Sequence, residues 1–225
     1  MTAAIISFPG TNCDRDTLWA FDEAGAKCVL ARHTERELPA KCDLVVVPGG
    51  FSYGDYLRCG AIAKVSPIMA AIRNFAAKGG RVFGICNGFQ ILLEAGLLPG
   101  AMVRNEKLRF ISRDAFLKVE NTKNPFLSKL KTGQILSLPI AHAEGNYAAD
   151  ADTVKELQDS EQILLTYCDK EGKAENINGS SAFIAGICNK ARNVFALMPH
   201  PERACHKRHA GGIDGAAFIK SVLES

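Results

Sequence analysis

The chain has little of what marks several large classes of protein. Its 225 residues carry a net charge of only +3, with both signs scattered, so no nucleic-acid partner is expected. No apolar run approaches the ~20 residues of a membrane span, so no membrane partner is expected either. The opening Met1-Thr2-Ala3-Ala4-Ile5-Ile6-Ser7-Phe8 has no basic segment before its apolar one, which speaks against a secretory signal. There is no Gly-x-x-x-x-Gly-Lys-Ser/Thr loop to cradle nucleotide phosphates. The eight cysteines, at 13, 28, 42, 59, 86, 168, 188 and 205, include no Cys-x-x-Cys pair, so neither a disulfide framework nor a zinc ribbon is indicated. Cys28, Cys168 and Cys188 lie in strand-like apolar runs and read as small buried hydrophobes. Free thiols in this number point to a reducing compartment, and a cytoplasmic location is expected.

What is present suits a folded enzyme. Hydrophobic residues make up 47% of the chain, enough for a substantial core. At ~100–200 residues per domain, one domain over 1–225 is expected, and no repeat or linker interrupts it. The first half alternates strand and helix patterns: strands at 3–8, 27–31, 43–47 and from Arg81, helices at 14–24, 66–77 and 89–95. That rhythm predicts an α/β fold, an open, mostly parallel, doubly wound sheet of flavodoxin-like type. From 115 onward strand patterns dominate, at 115–120, 135–140, 162–169, 181–188 and 194–198. They are expected to extend the sheet with antiparallel strands, before a last helix at 214–223. Pro139 suits a strand end or a sheet edge. In parallel sheets ligands bind beyond the carboxyl ends of the strands, where Phe8-Pro9-Gly10, Pro48-Gly49-Gly50 and Cys86 should converge.

Three segments carry candidate chemistry. In Gly84-Ile85-Cys86-Asn87-Gly88-Phe89-Gln90, glycines two residues either side of Cys86 permit a sharp strand-to-helix turn of the nucleophile-elbow kind. Such a turn exposes the sulfur at a helix N-terminus, where unpaired N–H groups favour thiolate. The plain alternative is a buried cysteine at a tight turn. In Met198-Pro199-His200-Pro201-Glu202-Arg203, two prolines bracket His200. Glu202 shares a face with it in extended chain, so a carboxylate can accept from Nδ1 and leave Nε2 to take a thiol proton. A surface histidine on a capped strand is the alternative. After a buried strand, the bare N–H groups of Pro48-Gly49-Gly50 can approach a ligand closely. Gly50 and Asn87 are the candidate oxyanion donors. Cys205-His206-x-x-His209 lacks a second ligand pair and has cationic neighbours, so no metal is expected there.

These segments together resemble the class I (triad-type) glutamine amidotransferases. Pro48 to Ala63, Gly84 to Leu92, Arg104-Asn105, Pro139 to Tyr147 and Met198 to Arg203 are similar to one branch in particular, the glutaminase subunits of phosphoribosylformylglycinamidine synthase. The resemblance implies that Cys86 attacks the carboxamide of L-glutamine, that His200 moves the proton and that Glu202 orients His200. Gly50 and Asn87 would hold the oxyanion, and Gln90 matches a position that helps bind glutamine. It further implies no cofactor in this chain. ATP and Mg²⁺ would serve a large synthetase subunit that receives the ammonia, with a small third subunit assisting assembly. Phe51, Tyr53, Tyr56 and Arg58, taken as exposed, are candidates for that interface. The sequence departs from the branch at Lys107, where Ser is usual, and at His142-Ala143-Glu144-Gly145, where His-Gly-Glu-Gly is usual. Both bear on glutamine contacts, and His142 and Glu144 receive no catalytic role. The competing readings are a stand-alone cysteine hydrolase or peptidase of similar fold, and a non-catalytic scaffold. Gln90 and the block at 51–63 argue against the first, and the intact Cys86, His200 and Glu202 against the second.

Overall fold

A computed structural model describes residues 1–207 and 212–224. The alternation of the first half is present as β1 (Thr2–Ser7), α1 (Asp14–Glu23), β2 (Lys27–Arg32), β3 (Leu44–Val47), α2 (Ile68–Ala77), β4 (Arg81–Ile85) and α3 (Asn87–Glu94). The second half contributes β5 (Ala101–Val103), β6 (Ile111–Val119), β7 (Ile135–His142), β8 (Asn146–Ala148), α4 (Ala151–Asp159), β9 (Ile163–Cys168), β10 (Ile184–Cys188), β11 (Val194–Leu197) and α5 (Asp214–Leu223). Nine strands form one sheet in the order β2-β1-β3-β4-β11-β10-β9-β6-β7. The first five are mutually parallel, and each later neighbour is antiparallel to the one before it.

Two features differ from the sequence reading. β11, grouped there with the antiparallel strands, is the fifth parallel one and lies between β4 and β10. The small β5–β8 sheet and α4 were not anticipated. α4 buries only Leu157, and its start is marked by the Asp150 cap accepting from Thr153 N–H at 2.7 Å.

The core explains why the parallel half is rigid. β3 is buried at every position, as expected of a strand covered on both faces. Phe83 on β4 stacks on its register neighbour Phe195 on β11 at 5.4 Å, and Phe218 of α5 packs against both. Each such buried phenylalanine contributes about 1.5–3 kcal/mol. On the opposite face α3 comes so close that a Cβ on Gly84 would lie 2.7 Å from Leu92 Cδ1.

Pro139 is tolerated within β7 because β7 is the edge strand, where a missing N–H breaks no ladder. The edge is covered in two places: Asp214 of α5 accepts from Ser137 N–H at 2.8 Å, and the Pro139 carbonyl accepts from His200 N–H at 2.8 Å. Among the described residues no helix is long and apolar enough to cross a membrane.

Candidate active site

Cys86 is the junction between β4 and α3, and it takes the strain of that junction itself. Its backbone sits at φ 50°, ψ −105°, a region costing roughly 1–3 kcal/mol for a residue with a Cβ. Gly84 and Gly88 have negative φ; they are small because the turn is tight. A Cβ on Gly88 would lie 1.9 Å from the Val47 carbonyl oxygen. The strain is held by Cys86 N–H donating to Leu197 O at 2.8 Å and by the Cys86 carbonyl accepting from Phe89 and Gln90 N–H.

His200 arrives from the end of β11, the strand beside β4. Its Nδ1 bonds Glu202 Oε1 at 2.5 Å, and both side chains are essentially buried. Burial by itself pushes the imidazole pKa down. The Glu202 carboxylate, then the Cys86 sulfur and hydrogen bonds with Cys13 and Cys86, outweigh burial and raise it well above its ordinary value. Glu202 Oε2 has no partner among the described residues.

Gly49 shows how closely sulfur and imidazole approach each other. A Cβ there would lie 2.7 Å from His200 Cε1 and 3.3 Å from Cys86 Cβ. Gly50, next along, has φ 122°, which side-chain-bearing residues rarely adopt, and a Cβ would meet Asn12 N at 2.6 Å. Asn87 opens α3, so its N–H has no helical carbonyl behind it. The Asn87 side chain is occupied: Oδ1 accepts from Ser52 N–H at 3.1 Å, and Nδ2 donates to Gln90 Oε1 at 2.8 Å. Gln90 in turn donates from Nε2 to the Glu144 carbonyl at 2.6 Å.

Cys86, Gly50, Gln90 and His200 line one cavity of about 220 Å³, while Asn87 and Glu202 stand behind its wall. Sequence reasoning gave no role to several other wall residues, Cys13, Asp55, Cys59 and Arg203, and no catalytic role to His142 and Glu144, which it allowed could line the site. Cys13 follows the Pro9-Gly10 strand end, so the strand-end rule was a usable signal for it. Arg203 Nη2 lies 3.0 Å from Cys13 Sγ. Cys13, His200 and Glu202 each offer a ligand atom within 4.8 Å of the others, but this guanidinium opposes a cation at that place. His142 is held by Asn105. The amide nitrogen Nδ2 donates to the Arg109 and His142 carbonyls, so Oδ1 is the acceptor and His142 Nδ1 must be the donor. Burial first, then the positive charge of His200, push His142 down to about 4, so its ring is neutral.

A larger cleft of about 520 Å³, lined by Glu120, Leu157 and Phe183 among others, contains none of the reactive candidates. Of the expected exposed loop residues, Phe51 and Tyr56 are exposed. Tyr53 is not: its hydroxyl meets His33 Nδ1 at 2.8 Å and Ser66 Oγ at 2.9 Å. Arg58 makes a two-pronged pair with Glu94, at 2.6 and 2.7 Å. Cys205 Sγ donates to Pro201 O at 3.1 Å, and His209 lies outside the described residues.

The chain is similar to known proteins over nearly its whole length. The family described as CobB/CobQ-like glutamine amidotransferase domain matches residues 1–215. A Campylobacter jejuni protein named phosphoribosylformylglycinamidine synthase subunit PurQ is 56% identical over 223 residues, 99% of this chain and 96% of that one. A Sulfurimonas denitrificans protein of the same name is 52% identical over 225 residues, the whole of both chains. A chain in the structure of PurLQS from Thermotoga maritima superposes with a TM-score of 0.88 at 39% identity, covering 99% of this chain and 97% of that one. With the family match spanning nearly its whole length, the chain belongs to the CobB/CobQ-like glutamine amidotransferases.

Proposed function

We propose that the chain is the glutaminase subunit of phosphoribosylformylglycinamidine synthase, releasing ammonia from L-glutamine for a synthetase partner. The observation that carries the chemistry is the buried His200–Glu202 pair, 2.5 Å apart and separated from Cys86 by little more than the space of Gly49. With the thiol proton held on His200 Nε2, favoured there by Glu202 and by the Cys86 sulfur itself, that sulfur attacks the carboxamide carbon. The oxyanion forms towards the N–H groups of Gly50 and Asn87, where losing one donor typically costs about 10²–10³-fold in rate. His200 returns the proton to nitrogen, the C–N bond breaks, and ammonia leaves a γ-glutamyl thioester on Cys86. Water, deprotonated by His200, attacks the thioester. The C–S bond then breaks, giving glutamate and the regenerated thiol. Glu202 holds the imidazole orientation and favours its charged form. Gln90 acts near the substrate as a strut, since its amide already joins Asn87 to Glu144.

The whole chain works as one glutamine amidotransferase domain in the cytoplasm. ATP and Mg²⁺ act in the large synthetase subunit, which converts formylglycinamide ribonucleotide to its amidine, and a small third subunit completes the complex. In the assembled complex, 6-diazo-5-oxonorleucine should label Cys86 and leave Cys13 and Cys59 unlabelled, although all three face the cavity. Cys86→Ala should abolish glutamine-dependent product formation, a fall of at least about 10⁴-fold, while ammonia-dependent formation persists. Glutaminase activity surviving that substitution would refute the assignment.

A further inference from the structure

The reacting amide is only one end of glutamine; the other end carries an ammonium group that a glutaminase can use to recognise an amino acid. The cavity holding Cys86 has two carboxylates in its wall, Asp55 and Glu144. They come from separate parts of the chain, the turn at Ser52–Asp55 and the loop following β7. Both line the same cavity as the Cys59 thiol, and after burial their charges push that thiol up, so they converge. Burial first, and the charge of Glu144 further, raise Asp55 against the opposing Cys59 hydrogen bond, the signature of like charges gathered in a half-enclosed place.

The charged imidazole of His200 in the same wall is engaged by Glu202, and neither nearby arginine offsets the two acids from inside. Arg104 approaches Glu144 only to 3.9 Å, from a side chain 74% exposed, so water screens much of that pair. Arg203, the arginine in the cavity wall, is directed at Cys13 Sγ at 3.0 Å and Asp16 at 3.5 Å. The Asn87 amide offers Asp55 a neutral donor, Nδ2, at 3.4 Å. Asp55 is nonetheless held in place through a turn in which Tyr53, Gly54 and Asp55 all have positive φ, tied to α3 by Ser52 N–H on Asn87 Oδ1. Two carboxylates in the wall beside a nucleophile, with neither arginine directed between them, suit a small organic ammonium with three N–H donors.

We propose that Asp55 and Glu144 together bind the α-ammonium group of glutamine and so set the preference for an amino acid over a plain amide. This rests on the glutaminase reading above. The acids act on recognition and not on the bond-breaking step, so their removal affects KM more than kcat.

The test compares L-glutamine with glutaramate, the same chain without the ammonium group, in the complex reconstituted with its synthetase subunits. Asp55→Asn and Glu144→Gln should each lower kcat/KM for L-glutamine by about 10–100-fold, as expected for losing a charged hydrogen bond. Most of the loss should lie in KM, glutaramate hydrolysis should change little, and the ratio between the substrates should collapse. Iodoacetamide should alkylate Cys86 in both variants at the wild-type rate, which reports an intact site. Equal losses on the two substrates, or none on either, would overturn the assignment while leaving the glutaminase reading standing. A wild-type complex that releases no glutamate from L-glutamine would overturn both.

Discussion

Two buried imidazoles face one cavity, His200 from the end of the parallel half and His142 from the end of the antiparallel edge strand, and their surroundings drive them in opposite directions. Burial opposes the charged form of both. At His200 a carboxylate 2.5 Å from Nδ1, with two sulfurs nearby, outweighs it. At His142 the partner of Nδ1 is the neutral Asn105 amide oxygen at 3.1 Å, and the charge of His200 adds to the burial penalty. Burial alone does not make a base. The parallel half supplies the proposed reacting groups at the ends of β3, β4 and β11, while the antiparallel half supplies wall, the neutral ring of His142 and the carboxylate of Glu144 among it.

Replacing the carboxylate is the most direct way to break this contrast. Glu202→Gln gives His200 the kind of partner His142 has, and glutaminase turnover should fall about 10³–10⁴-fold with ammonia-dependent synthesis preserved. A loss under about tenfold would make Glu202 a bystander. The second prediction concerns stability. Neutral when folded, His142 takes up its proton only on unfolding between pH 6.5 and about 4, so the unfolded state binds more protons in that window. Stability should therefore drop as the pH falls through it, by up to about 3 kcal/mol from this residue. His200 works the other way: its raised value adds stability below its unfolded value, and this is lost as pH rises through the folded one. His142→Gln should flatten the acid side of the urea-midpoint profile, and an unchanged slope would show that another group governs it. The smallest effect is steric. Gly49→Ala places a methyl 2.7 Å from His200 Cε1 and leaves His142 untouched. It should cost about 10–100-fold in kcat, through misplacement of the imidazole, with the acid profile unaltered.

Legibility in the sequence follows the same division. The elbow at Cys86 and the Pro-His-Pro-Glu turn were readable because each is a local motif whose function fixes its neighbours. The glycines around Cys86 were readable as small but not for the right reason: the positive φ belongs to the cysteine, and Gly88 is small because the Val47 carbonyl is in the way. His142 was opaque because its tautomer is set by Asn105, 37 positions distant. The parallel pairing of β11 with β4 was not readable because an apolar run of four residues looks the same whether its neighbours are parallel or antiparallel. Asp55 and Glu144 are ordinary loop acids until folding places them around Cys59.

The covered edge at β7 has a consequence for the molecule in a crowded cell. An open border strand invites a second chain to add itself rung by rung, the first step towards fibres. Here one rung is occupied by Asp214, the next has no donor, and its acceptor is engaged by the backbone of His200. A chain that tried to dock along this border would have to pull His200 out of position first, so the contact that seats His200 also closes this border, though not the one at β2, to self-association.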